Sequence, residues 1–222
     1  MLKTRLPDTG FLSGASGPLR RMLESQASEI RLSQGEVLFE QGDPGDALYA
    51  IVEGALEFSV LSASGRKLSL DMMRPGAVFG EITLFDPGER TATAIATEAS
   101  LVLRLRSGDV LEQIRRHPDL AADLLRLAGQ RMRWMNNQLN EQVFLPMPVR
   151  LARKLAYLAP EGSDGRIALS QAELAEFVGA TREAVSKTLA TWKRNGLISV
   201  SRGGVQILDR NALAVLAEPE SI

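Results

Sequence analysis

From Ser28 to Arg106 the chain is interrupted repeatedly by glycine, whereas from Pro118 to Phe144 it is hardly interrupted at all, and this change of texture limits its fold more than any other feature. The first stretch is a series of short apolar runs, SEIRLS, EVLFEQ, ALYAIVEG, ALEFSVLS, RKLSLDMM, AVFGEI, TATAIATEA and SLVLRLR. Turn signals separate them at Gln34-Gly35, Gly42-Asp43-Pro44-Gly45, Ser64-Gly65 and Pro75-Gly76. Such runs at such intervals predict a β sandwich or barrel, here a jelly roll. The second stretch holds no proline after Pro118 and one glycine, Gly129. His117-Pro118 can open a helix, because a proline in the first turn lacks only an N–H that would have no intrahelical partner.

In that helix Leu120, Leu124, Ala128, Met135, Leu139 and Val143 recur at spacings compatible with one apolar stripe. At 1.5 Å per residue it spans about 40 Å, too long for a small β domain to cover. A second copy of the same helix is therefore the expected partner, with Leu124, Ala128, Met135, Leu139 and Val143 at the seam of a homodimer. The alternative is a helix packed only within its own chain. LPMPVR, residues 145–150, reads as a hinge, since each proline disfavours helix at the residue before it. The chain thus divides into a β domain over 1–117, a dimerisation helix over 118–145 and a third region over 146–222, an α+β protein.

The third region carries SQAELAEFVGATREAVSKTLATWKRNGLISVSRGGVQILD. Ser170 followed by Glu173 is a capping box and starts a helix at Gln171. Small Ala175, turn residue Gly179 and branched Val185 have the spacing of a helix-turn-helix, in which the alanine lets two helices cross and the glycine turns the chain. The second helix presents Thr181, Arg182, Glu183, Ser186 and Lys187 on one face and Val185, Leu189 and Trp192 on the other. Arg or Lys can bind guanine in the major groove and Glu can accept from cytosine, so Arg182 and Glu183 are expected to read base edges, with Ser170 and Thr181 on phosphate. Gly203-Gly204 reads as the turn of a hairpin, which makes the region a winged helix-turn-helix for double-stranded DNA. Between residues 182 and 202 the basic residues Arg182, Lys187, Lys193, Arg194 and Arg202 face Glu183 alone, although the whole chain carries a net charge of -1.

Composition removes several chemistries. There are no cysteines, hence no disulfide, thiolate zinc site or iron-sulfur cluster. A single histidine, His117, cannot assemble a metal site or the ligand cluster of a cupin enzyme, the other class hosted by a jelly roll. No catalytic residues stand out. No apolar run approaches the roughly 20 residues of a membrane span, and the first residues lack the apolar core of a signal peptide, so a cytoplasmic chain without membrane contact is expected.

FGEITLFDPGERTATAIA, residues 79–96, poses a question of charge, because Glu81 and Arg90 flank a Pro-Gly turn between apolar runs. A buried guanidinium is costly without an anion, a phosphate offers charge-assisted hydrogen bonds, and Gly80 permits close backbone approach. The alternative is a plain ion pair between Glu81 and Arg90.

With these residues in view, the arrangement resembles the cyclic AMP receptor protein and FNR family of bacterial transcription regulators over residues 28–210. The resemblance rests on GEVLFEQGDPGDALYAIVEGALEF, FGEITLFDPGERTATAIA, FLPMPVRLARKLA and LSQAELAEFVGATREAVSKTL. It implies that residues 79–91 are a phosphate-binding cassette, with Arg90 on a cyclic phosphate, Thr91 and the backbone near Gly80 hydrogen-bonding it, and Glu81 accepting from the ribose 2′-hydroxyl. It implies that Met135 and Asn136 stand where cyclic AMP members present a hydroxyl pair to the base, a departure that brings cyclic GMP in beside cyclic AMP as the effector. It also implies a palindromic operator, and contact with RNA polymerase through the loop Ala159 to Gly165. Haem-type members need axial ligands that this chain lacks. A regulator that has lost its ligand is the competing expectation.

Overall fold

The computed structural model describes residues 6–159, 164–201 and 203–218. The chain divides into two compact units, Met1–Val60 with Leu70–Trp134, and Leu61–Ser69 with Met135–Ile222. Each of the eight apolar runs contains one strand: β1 (Ser28–Leu32), β2 (Val37–Phe39), β3 (Ala47–Glu53), β4 (Leu56–Leu61), β5 (Lys67–Met73), β6 (Val78–Phe79), β7 (Thr93–Ala96) and β8 (Ser100–Arg106). They form two four-stranded sheets, ordered β1-β8-β3-β6 and β2-β7-β4-β5. The pairs with resolved register, among them Ile51 with Val102 and Phe58 with Ala94, are antiparallel.

β3 is buried from Ala47 to Val52, because both of its faces are covered. Ala47, Tyr49 and Ile51 join Phe58, Phe79, Ala94 and Val102 in one apolar cluster, while Leu48, Ala50 and Val52 join Leu101, Leu103 and Leu105 in another. Helices cover the second cluster. Two of them, α1 (Gly10–Ser13) and α2 (Gly17–Gln26), precede the first strand. The Ser16 hydroxyl caps α2, Pro18 lies in its first turn, and Leu19, Met22 and Leu23 face inward. The Ser16 N–H donates to both oxygens of the buried Asp123 carboxylate at 3.0 and 3.2 Å, which fastens this N-terminal segment to the long helix.

After the four-residue α3 (Ile82–Phe85) and α4 (Ser107–Arg116), that long helix, α5, runs from Asp119 to Phe144 without a break. Its apolar residues do not make one stripe. Leu120, Leu124 and Leu127 are buried in the cluster beneath β3 and β8, whereas Leu125, Met132, Met135, Leu139 and Val143 are more than half exposed. Leu124, 1% exposed, is therefore a core residue of its own unit and not a seam residue. A helix of 3.6 residues per turn accommodates both duties by giving them different faces. Among the described residues no helix is long and apolar enough to cross a membrane.

α6 (Met147–Leu158) begins inside the segment read as a hinge, because Pro148 falls in the first turn, where it is tolerated. Arg150 closes the end of α5 by donating from Nη1 to the carbonyls of Gln142 and Leu145, both at 3.1 Å. Then follow β9 (Arg166–Ile167), α7 (Gln171–Val178), α8 (Arg182–Arg194), β10 (Ile198–Ser201), β11 (Gly204–Ile207) and α9 (Arg210–Ala217). Leu151, Leu155, Leu174, Val185, Leu189 and Leu213 are essentially fully buried here. In the wing Ser201 pairs with Gly204, so Gly204 belongs to β11 and the two glycines do not form the turn together. Arg202 and residues 160–163 of the Ala159 to Gly165 loop lie outside the described residues.

Candidate functional site

Arg90 is buried at the end of the cassette, its side chain 4% exposed. Its backbone is stapled to the Gly42-Asp43-Pro44-Gly45 turn: the Arg90 N–H donates to Asp43 O at 2.7 Å, and the Gly42 N–H donates to Arg90 O at 2.9 Å. The guanidinium lies over the rings of Phe39 and Tyr49, 4.6 and 5.2 Å from their centroids. Nη2 donates to Ala47 O at 3.0 Å and Nη1 to Thr83 Oγ1 at 3.4 Å. Asp46 stands 3.8 Å from Nη2, and the same carboxylate forms a shorter pair with Arg104. Burial opposes the Arg104 charge, but the hydrogen bond to Tyr49 and the nearby Asp46 outweigh it and raise its pKa above the ordinary value. Asp46 is thus anchored mainly elsewhere. Arg90 Nε is buried and has no hydrogen-bond partner.

A buried guanidinium with an unused N–H, beside a carboxylate shared with another cation, can take an additional anion. Gly80 provides the approach. Its φ of 88° suits glycine, and a Cβ there would come within 2.6 Å of Ala47 O and 3.0 Å of Arg90 Nη1. Thr91, next to Arg90, exposes its side chain. These residues fit a cyclic phosphate.

Glu81 and Arg90 do not pair with one another. Glu81, 3% exposed, forms its ion pair with Arg131 of α5, Nε to Oε1 at 3.7 Å, and Arg131 Nη1 lies 3.7 Å from Asp71 Oδ2 on β5. Sequence reasoning missed Asp46, Asp71, Thr83 and Arg131. An acid inside the apolar run LSLDMM was the available signal for Asp71, and the GDPG turn leading into Asp46 was the signal for that residue. Met135 and Asn136 lie on α5 with exposed side chains.

In the second unit the Ser170–Glu173 capping box is present in both directions, Ser170 N–H to Glu173 Oε2 at 2.7 Å and Glu173 N–H to Ser170 Oγ at 3.2 Å. Gly179 ends α7 in the left-handed region at φ 61°. Thr181 Oγ1 accepts from the Ala184 N–H at 3.2 Å, which leaves its own O–H to donate. Val185, Leu189 and Trp192 are buried, whereas Thr181, Arg182, Glu183 and Lys187 are exposed and Ser186 is half-buried. The start of α8 thus presents a cation, a carboxylate and hydroxyls to solvent from a rigid helix.

Residues 29–117 match the cyclic nucleotide-binding domain family, and residues 149–216 match the Crp-like helix-turn-helix domain family. A CRP-like cAMP-activated global transcriptional regulator of Mycobacterium tuberculosis is 32% identical over 216 residues, covering 94% of this chain and 96% of the relative. The chain belongs to the CRP/FNR family of transcription regulators. The cyclic AMP receptor protein of Thermus thermophilus is 33% identical over 184 residues, 83% of this chain and 85% of that protein. Among solved structures, a CRP/FNR-family transcriptional regulator of the same organism superposes with a TM-score of 0.76 at 27% identity, covering 87% of this chain and 100% of the other. The protein is a cyclic-nucleotide-binding regulator with a helix-turn-helix, not an enzyme, and its jelly roll, long helix and winged helix-turn-helix are those of the CRP/FNR family.

Proposed function

We propose that this regulator works as a homodimer switched by cyclic AMP, with cyclic GMP as the nearest competitor, and binds palindromic operators. The observation that carries the effector assignment is the buried, partnerless Nε of Arg90. A cyclic nucleotide supplies one phosphate charge and, in its ribose, a 2′-hydroxyl. Arg90 donates to the phosphate, the backbone around Gly80 and the Thr91 hydroxyl complete its hydrogen bonds, and Glu81 accepts from the 2′-hydroxyl. Met135 and Asn136 take the base-contacting positions by resemblance, and Asn136 can both donate and accept. The mycobacterial and Thermus relatives, both named for cyclic AMP, favour the adenine nucleotide.

Leu125, Met132, Met135, Leu139 and Val143, exposed along α5, supply the apolar face for a second copy, with Ala128 beside them. Two copies of α8 then present Arg182 and Glu183 to base edges, with Thr181, Ser170, Ser186 and Lys187 supporting them on the DNA. RNA polymerase contact belongs to the Ala159 to Gly165 loop.

Calorimetry with cyclic AMP, cyclic GMP and cyclic di-GMP on the full chain tests the assignment. Cyclic AMP is expected to bind most tightly. If none of the three binds while operator binding stays tight, the chain is a ligand-independent regulator.

A further inference from the structure

Arg131 is poised between two acids. Its Nε is 3.7 Å from Glu81 Oε1, its Nη1 is 3.7 Å from Asp71 Oδ2, and its Nη2 is 3.7 Å from Met73 Sδ. The guanidinium also lies 5.5 Å from the Trp134 ring centroid. Neither carboxylate is at the roughly 2.9 Å of a formed N–H···O hydrogen bond. The three side chains are 20%, 11% and 4% exposed for Arg131, Asp71 and Glu81, so water screens their charges only weakly. Asp71 is held to its strand, since its Oδ1 accepts from the Met72 N–H at 2.8 Å. The guanidinium of arginine is a permanent cation in proteins, and here two acids compete for it.

We infer that Asp71 is a specificity-determining residue of the effector site: by holding Arg131 away from Glu81, it keeps the Glu81 carboxylate open to a ribose 2′-hydroxyl. The inference rests on the effector reading above. With Asp71 neutral, the electrostatic minimum for Arg131 moves to Glu81, the remaining acid. A close guanidinium-carboxylate pair would then compete with the sugar hydroxyl for the lone pairs of the Glu81 oxygens and weaken that hydrogen bond. A nucleotide without a 2′-hydroxyl makes no use of those oxygens and is indifferent to the change. Asp71 therefore acts on the choice between ribose and deoxyribose, through Arg131, without itself touching the ligand.

The test is a calorimetric titration of the full chain with cyclic AMP and 2′-deoxy cyclic AMP, on wild type, Asp71→Asn, Arg131→Met and the double variant. Asparagine keeps an acceptor for the Met72 N–H, and Asp71→Ser serves as a second variant should the amide disturb the strand. We expect Asp71→Asn to weaken cyclic AMP about tenfold, an ordinary size for a coupling of this kind. It should leave 2′-deoxy cyclic AMP within about twofold, and the loss should vanish when Arg131 is also replaced. Equal weakening of both nucleotides, no change in either, or a loss that persists in the double variant would overturn the inference while the effector reading stands. Failure of the wild type to bind either nucleotide would instead overturn the effector reading, and the inference with it.

Discussion

Replacing Arg90 by methionine separates a ligand-binding ion from a structural one. In the free protein the substitution removes the hydrogen bond to Ala47 O at 3.0 Å and the longer one to Thr83 Oγ1 at 3.4 Å. Leaving the buried Ala47 carbonyl without its donor costs about 1 to 3 kcal/mol. Asp46 is not stranded, because it is 61% exposed and still paired with Arg104. On the other side, the variant removes a desolvated charge and an unpaired Nε, and places a thioether against the rings of Phe39 and Tyr49. Exchanging a buried ion for an apolar side chain is often neutral or stabilising by about 1 to 4 kcal/mol. The terms nearly cancel, so the unfolding midpoint should move by less than about 8 °C in either direction. With nucleotide the balance is different. Two charge-assisted hydrogen bonds of about 1.5 to 3 kcal/mol each disappear, a weakening of roughly a hundredfold to ten-thousandfold in Kd. Thermal unfolding and calorimetry on one preparation read both quantities. A large fall in stability with unchanged cyclic AMP affinity would refute the reasoning and make Arg90 a structural ion.

Two further substitutions address the seam and the DNA-reading face. Leu139, 60% exposed in the single chain, should tolerate glutamate there within about 0.5 kcal/mol, but at a two-fold seam the carboxylate would be desolvated opposite its own symmetry mate. Sedimentation of Leu139→Glu should show monomer, and a dimer of unaltered stability would place the seam elsewhere. Arg182→Ala should weaken operator binding by about 1 to 3 kcal/mol and relax selectivity at one position of each half-site. Gel-shift competition with single-base operator variants measures both effects, and unchanged affinity and selectivity would remove Arg182 from base reading.

The β domain was legible because each strand carries its own signal: alternation or a short apolar run between glycine turns. The helix-turn-helix was legible for the same local reason, as a cap, a turn glycine and an apolar face all fall within Ser170 to Trp192. What escaped was structure whose signal is weak or not local. The helix Gly17–Gln26 sits in glycine-rich GASGPLRRML, yet Ser16 before Pro18 and the spacing of Leu19, Met22 and Leu23 were readable start and face signals. Its fastening by Asp123 joins positions 107 residues apart, and no pattern along the chain announces that. The α5 stripe shows the limit of periodicity in another way. Leu124 and Leu125 are adjacent, one buried and one exposed, and only the β domain packed against the helix decides which face is core.

The cassette ions were legible as charges in need of partners, but their partners were not, and the reason bears on how the site works. Proximity in sequence offered a pair of Glu81 with Arg90 only as the alternative to a bound ligand. The chain between them turns through a short helix, and each reaches a residue from a distant segment, Asp46 for Arg90 and Arg131 for Glu81. Both of those partners are themselves shared, Asp46 with Arg104 and Arg131 with Asp71. The separations on the cassette side are 3.8 and 3.7 Å, too long for formed hydrogen bonds. Each functional ion is thus neutralised well enough to remain buried in the folded chain, yet loosely enough that a better partner can displace what it has. Had Glu81 and Arg90 closed on each other in a tight buried pair, an incoming nucleotide would have had to break it and strand two charges before gaining anything. Sharing each partner with a second ion avoids that barrier, because Asp46 and Arg131 keep a counter-charge when the cassette residues turn to a ligand.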